Sequence, residues 1–121
     1  MLALLNQIRQ ANGMGPLSPD ARVTAAAQAH SADMAARNTM SHTGANGSNA
    51  GGRLSAAGVA WRTYGEVVAA GQTSAQAAVN GWMNSPPHRQ VILHPGLTHA
   101  GVGYAVSAAG RTYWTVDFAA R

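Results

Sequence analysis

The chain has 121 residues, 46% of them hydrophobic and 10% charged, with no cysteine and a net charge of +4. That balance describes one globular domain and excludes a disordered chain, a disulfide framework and any thiol chemistry. The arginines run from Arg9 to Arg121 without clustering, so no basic stripe with interleaved aromatics marks a nucleic-acid groove, although weak attraction to anionic envelope polymers fits the charge.

The opening residues read directly as a helix. Met1, Leu4, Leu5, Ile8 and Ala11 recur at helical spacing, and Asn12-Gly13 ends the segment. With no basic n-region or cleavage site, an export signal is expected to have been removed or to lie outside this sequence. Ser18-Pro19-Asp20 is the next start signal, with Ser18 expected to cap, Pro19 at the first helical position and Asp20 facing the positive end of the dipole. This second helix should reach about Asn38, with Val23, Ala27, His30 and Met34 on its apolar face, so His30 is expected to be a hydrogen-bonded core histidine.

From His42 to Gly52 the chain turns to Gly, Asn, Ser and Thr, a surface loop, followed by a helical turn over 52–57. Arg53 is expected to anchor that loop, since its fork can satisfy several carbonyls. Val59 to Val68 reads as a strand with Glu66 near its end. Thr73-Ser74-Ala75-Gln76 matches a capping box, and Ala75, Ala78, Val79, Trp82 and Met83 continue as an amphipathic helix. Ser85-Pro86-Pro87-His88 opens a short helix capped by Ser85, with Val91, Ile92 and Leu93 turned inward. Segments 100–107 and 111–118 alternate around Ala108-Ala109-Gly110 as a hairpin. Asp117 falls on the sheet face opposite Trp114, Val116 and Phe118 and is expected to serve a loop backbone or an arginine. Trp61, Trp82 and Trp114 are expected to pack the core and its rim, and Met34, Met40 and Met83 to lie in the core.

His42, Glu66 and His88 stand out chemically, because Glu66 is the only glutamate and lysine is absent. Two neutral imidazoles and one carboxylate suit Zn²⁺ or another divalent cation while leaving a position open for water or ligand. His88, in a first helical turn, would favour the neutral form that a metal needs. The blander reading is that the three bond one another and pin the glycine-rich loop. Ser41 and Ser85 neighbour these histidines, yet neither sits in a Gly-x-Ser-x-Gly elbow, and Ser85 is expected to be occupied as a cap. His94 and His99 flank a turn, with His99 a candidate for the cleft rim.

Taken in order, Asn6-x-x-Arg9, Leu17, Met34, Ser41-His42, Arg53-Leu54, Gly58, Gly65-Glu66, Trp82-Met83-Asn84-Ser85, His88-Arg89, Ile92-Leu93, Gly101-Val102-Gly103 and Asp117-Phe118 resemble the bacterial branch of the CAP superfamily, also called SCP-like extracellular proteins. The resemblance implies an α+β, three-layer α-β-α sandwich with a small, mostly antiparallel sheet, filled by a single domain over 1–121. It also implies a surface cleft holding His42, Glu66 and His88. Where many relatives carry a second cleft glutamate this chain has Ser85; Val67 replaces a common asparagine, and His99 replaces an acidic residue. The resulting expectation is a secreted or envelope-associated module, monomeric or weakly oligomeric, that binds a divalent metal or a small-molecule, lipid or envelope ligand. The alternatives are a metal-assisted peptidase or esterase with Glu66 as general base and the two histidines as metal ligands, and a structural or partner-binding domain with an idle cleft.

Overall fold

In the computed structural model, which describes residues 1–121, the elements run α1 (Leu2–Ala11), β1 (Ser18–Pro19), α2 (Ala21–Arg37), α3 (Ala50–Ala56), β2 (Thr63–Ala70), α4 (Ala75–Met83), α5 (Pro86–Ile92), β3 (His99–Val106) and β4 (Thr112–Ala120). The strands lie in the order β1-β3-β4-β2, antiparallel except for the short parallel β1–β3 pair. On one face Val67, Ala69, Val116 and Phe118 meet Leu5, Val79, Trp82 and Ile92 from α1, α4 and α5. On the other, Val68, Tyr113 and Ala119 meet α2 and α3 through Val23, Met34 and Leu54. The result is the α-β-α sandwich with a mostly antiparallel sheet.

Capping chemistry moves two of the expected boundaries. Asp20, not Ser18, starts α2: its Oδ1 accepts from the N–H groups of Arg22 and Val23 at 2.9 and 3.0 Å. Ser18 and Pro19 are extended instead, because the Ser18 N–H donates to the Thr98 carbonyl and the pair lies beside His99 and Ala100. Likewise Ser74, not Thr73, caps α4 by accepting from the Ala77 N–H, while Gln76 reaches forward to Asn80. β2 begins at Thr63, later than expected, because Val59 is drawn under α3 against Leu54, and Glu66 therefore sits mid-strand. Met40 is 53% exposed beyond the end of α2 and is not core.

Two buried polar anchors fix the layers. Arg9, 1% exposed, donates to the carbonyls of Gly15, Ile92, His94 and Leu97, tying α1 to the chain that leaves α5. Trp82 donates from Nε1 to the Val68 carbonyl at 2.9 Å and so holds α4 to β2. The long helix α2 lies close on β3: a Cβ at Gly101 or Gly103 would overlap the backbone of Thr24 or Ala27. At the β3 edge, the Gln28 amide donates to the Tyr104 carbonyl and accepts from the Tyr104 N–H.

Candidate functional site

Strand alternation puts Glu66 on the sheet face covered by α2 and α3, and β4 places Asp117 directly opposite it. The Glu66 side chain is only 3% exposed and is held from two sides. Arg53 of α3 donates from Nη2 to Oε2 at 2.5 Å, and His42 donates from Nδ1 to Oε1 at 2.9 Å. Arg53 also donates from Nη1 to the carbonyls of His42 and Ser48, both at 3.0 Å, so it is the expected loop anchor and a carboxylate partner besides. One guanidinium thus shapes the glycine-rich loop around the charge it neutralises.

Burial by itself would raise the Glu66 carboxyl. Hydrogen bonding by His42 and Arg53, with the Arg53 charge and the neighbouring Asp117, outweighs it and holds Glu66 down to about 2. Asp117 goes the other way. It is fully buried, and desolvation together with the Glu66 charge pushes it well above the ordinary carboxylate range. Asp117 favours the Glu66 anion, yet neither of its oxygens reaches hydrogen-bond geometry with any group. The expectation that Asp117 serves a loop backbone or an arginine is therefore overturned. It is a buried acid behind Glu66.

His30 is a buried, hydrogen-bonded histidine as expected, and it is also part of this cluster. Its Nε2 donates to the Ser41 carbonyl at 2.6 Å and lies 4.0 Å from Glu66 Oε1. Desolvation keeps it below the ordinary imidazole range, against the pull of Ser41 and Glu66. His30 and Asp117 were legible in part: a lone aspartate in a strand buried at every position is a warning that neighbouring polar groups must be found for it.

His88, at the third position of α5, bonds through Nδ1 to Ser85 Oγ at 2.9 Å. Ser85 occupies the cap position, but its hydroxyl serves the imidazole rather than a backbone N–H, contrary to expectation. Burial and, after it, the charge of His42 lower His88. His99 stands apart: its Nδ1 bonds the Thr98 hydroxyl, and β4 separates it from the strand of Glu66. Its place on the rim is not supported by these contacts.

As a metal centre the set is incomplete. No group of three or more His, Cys, Asp or Glu side chains is arranged to hold a metal ion, and both Glu66 oxygens are already engaged. The imidazoles fit better. An ionised Glu66 can only accept, so the His42 proton sits on Nδ1 and neutral His42 presents an Nε2 lone pair outward. With a hydrogen bond on Nδ1 of each ring, His42 and His88 have the orientation typical of ligating histidines. The His42 side chain is 57% exposed, which leaves that nitrogen reachable.

Comparison with known proteins agrees with this architecture. The chain is 36% identical over 118 residues to YkwD of Bacillus subtilis (strain 168), covering 98% of this chain and 45% of that protein. It is 35% identical over 121 residues to the membrane protein YlbC of the same organism, covering 100% of this chain and 34% of YlbC. It therefore spans less than half the length of either relative. Among solved structures, an extracellular protein containing an SCP domain from Bacillus anthracis superposes with a TM-score of 0.87 at 31% identity, over 98% of this chain and 38% of that one. An outer surface protein of Borrelia burgdorferi shares the fold at a TM-score of 0.92 and 19% identity, over 99% and 89% of the two chains. The model of the cysteine-rich secretory protein family, CAP, matches residues 2–118. Cysteine-free though it is, this chain belongs to the CAP family.

Proposed function

We propose that this domain is an extracellular binding module whose cleft takes a divalent cation of the zinc type on the imidazoles of His42 and His88. Glu66 then acts as the group that orients His42 rather than as a ligand, and Ser85 orients His88. The observation that carries this reading is the pair of Nδ1 hydrogen bonds, each 2.9 Å, which leaves the Nε2 lone pair of His42 available and the Nε2 atom of His88 unbonded. A bound cation would supply a Lewis-acidic anchor for a polar ligand group, with its remaining coordination positions open. The extracellular assignment draws on the Bacillus anthracis relative.

The chemistry of Glu66 speaks against hydrolysis with that residue as the base. A carboxylate held at about 2 and paired with a guanidinium is a poor proton acceptor near neutral pH. Calorimetric zinc titration of the wild type, His42→Ala, His88→Ala and the double variant tests the proposal. Each single change should weaken binding and the double change should abolish it. Unchanged affinity in the double variant would leave the cleft as a purely structural feature, and zinc-dependent ester or peptide turnover lost in Glu66→Gln would replace the module with an enzyme.

A further inference from the structure

β2 is an outermost strand of the sheet, with β4 on one side and no strand on the other. In an antiparallel ladder both main-chain groups of every second residue bond the neighbouring strand, and those of the residues between point away from it. The Gly71 N–H donates to the Thr112 carbonyl in register with the ladder, so the odd-numbered residues of β2 face β4, and Tyr64, Glu66 and Val68 face outward. Trp82 agrees with this alternation, since the carbonyl it reaches is that of Val68. No side chain or loop bonds the outward N–H or carbonyl of Tyr64 or Glu66, whereas Tyr104 in β3 has both its outward groups taken by Gln28.

Solvent reaches this stretch. Tyr64 is 37% exposed, and Glu66 is 8% exposed as a residue but 3% in its side chain, so its main chain is the more open part. The edge is also walled on both sheet faces. Glu66 holds the His42 loop on one. On the other, Val91 of α5 packs so closely that a Cβ at Gly65 would lie 2.7 Å from its Cγ1. A partner seated between these walls must be narrow and must offer both an acceptor and a donor at every second position, which is the pattern of extended polypeptide.

Charge narrows the partner further. The four acids of the chain are all engaged: Asp20 pairs with Arg121, Asp33 with Arg37 and Glu66 with Arg53, while Asp117 is buried. Arg62, immediately before β2, and Arg89, beside His88 on α5, are exposed and make no ion pair. The free charge flanking this edge is therefore positive, which favours an acidic partner and gives a second copy of this basic chain no free carboxylate to offer. We propose that the edge of β2 at Tyr64 and Glu66 binds an acidic, extended segment of another polypeptide by main-chain pairing. This inference does not rest on cation binding, because every pairing group belongs to the main chain.

The test uses metal-free protein and a blocked hexapeptide alternating glutamate and valine, followed by amide hydrogen exchange of the full chain. Saturating peptide should slow exchange at the Tyr64 and Glu66 N–H groups by about tenfold or more, since both become hydrogen-bonded. N-methylation of all the valine amides, or of all the glutamate amides, should split the outcome: the set facing β2 abolishes binding and the other leaves it. A lysine-valine peptide of the same length should bind about tenfold more weakly or worse. Tyr64→Pro deletes an outward N–H that the ladder does not use and should weaken binding, whereas Tyr64→Ala, which loses the same ring, should keep most of it. No saturable binding at millimolar peptide, binding without protection of Tyr64 and Glu66, or equal binding by both N-methylated peptides would each overturn the assignment. Equal binding by the lysine peptide would remove the acidic partner, and protection that grows with protein concentration in the absence of peptide would give the edge to a second copy instead.

Discussion

Glu66→Gln isolates the electrostatics at the centre of this domain. The Glu66 carboxyl falls from an ordinary 4.5 to about 2 in the fold, and each tenfold change in proton affinity is worth about 1.4 kcal/mol, so the ionised form contributes about 3 kcal/mol. The side chain is only 3% exposed, so screening by solvent removes little of that. The sign follows from the depressed value. The contribution is fully present above about 4.5 and fades as the pH falls through the interval down to about 2. A glutamine at this position keeps the size of the side chain and does not titrate, so the variant should be about 3 kcal/mol less stable than wild type near pH 6 and nearly equal to it near pH 2. Urea unfolding followed by tryptophan fluorescence, with chelator present, reads this directly. The comparison must be the difference between the two proteins, because Asp117 titrates in both. A stability gap that stays constant from pH 6 to pH 2 would refute the reasoning, since it would mean the Glu66 charge is not what Arg53 and His42 stabilise.

Asp117→Asn should behave in the opposite sense. The folded protein holds the Asp117 proton above the pH at which the unfolded chain releases it, so wild type loses stability from this group as pH rises past 3.8, whereas the asparagine variant does not. The variant should therefore gain on wild type between pH 4 and pH 8 in denaturant titrations, and a gap that moves the other way would contradict the buried, protonated assignment. Gly101→Ala should be among the most damaging single-methyl changes in the chain, costing about 3 kcal/mol or more, because the added Cβ meets the α2 backbone at Thr24, which no rotamer change can relieve. A melting temperature within a few degrees of wild type would show that α2 can slide on β3.

Much of this architecture is legible from local signals. The helix periodicities of α1, α2 and α4 and the alternation around Ala108-Ala109-Gly110 lead to the right elements because each bears its own apolar face. What local signals miss are choices made by distant partners. Ser18 looks like a cap until the Thr98 carbonyl claims its N–H. Ser85 sits at a cap position, but the imidazole one turn on takes its hydroxyl. The sequence reading separates Glu66 from Arg53 and Asp117, which join it only through the β2–β4 register and the docking of α3. His42 and His88 can be picked out by chemistry, whereas the pairing of each Nδ1 depends on the folded geometry.

Gln28 has a bearing on how this domain behaves in company. β1 covers the outer rim of β3 for only two residues, and further along the strand the amide of Gln28 takes the backbone donor and acceptor of Tyr104, as a neighbouring strand would. An unsatisfied rim there would recruit other polypeptides by strand addition. A single side chain from the longest helix thus leaves Tyr104 no free backbone group to offer an incoming strand.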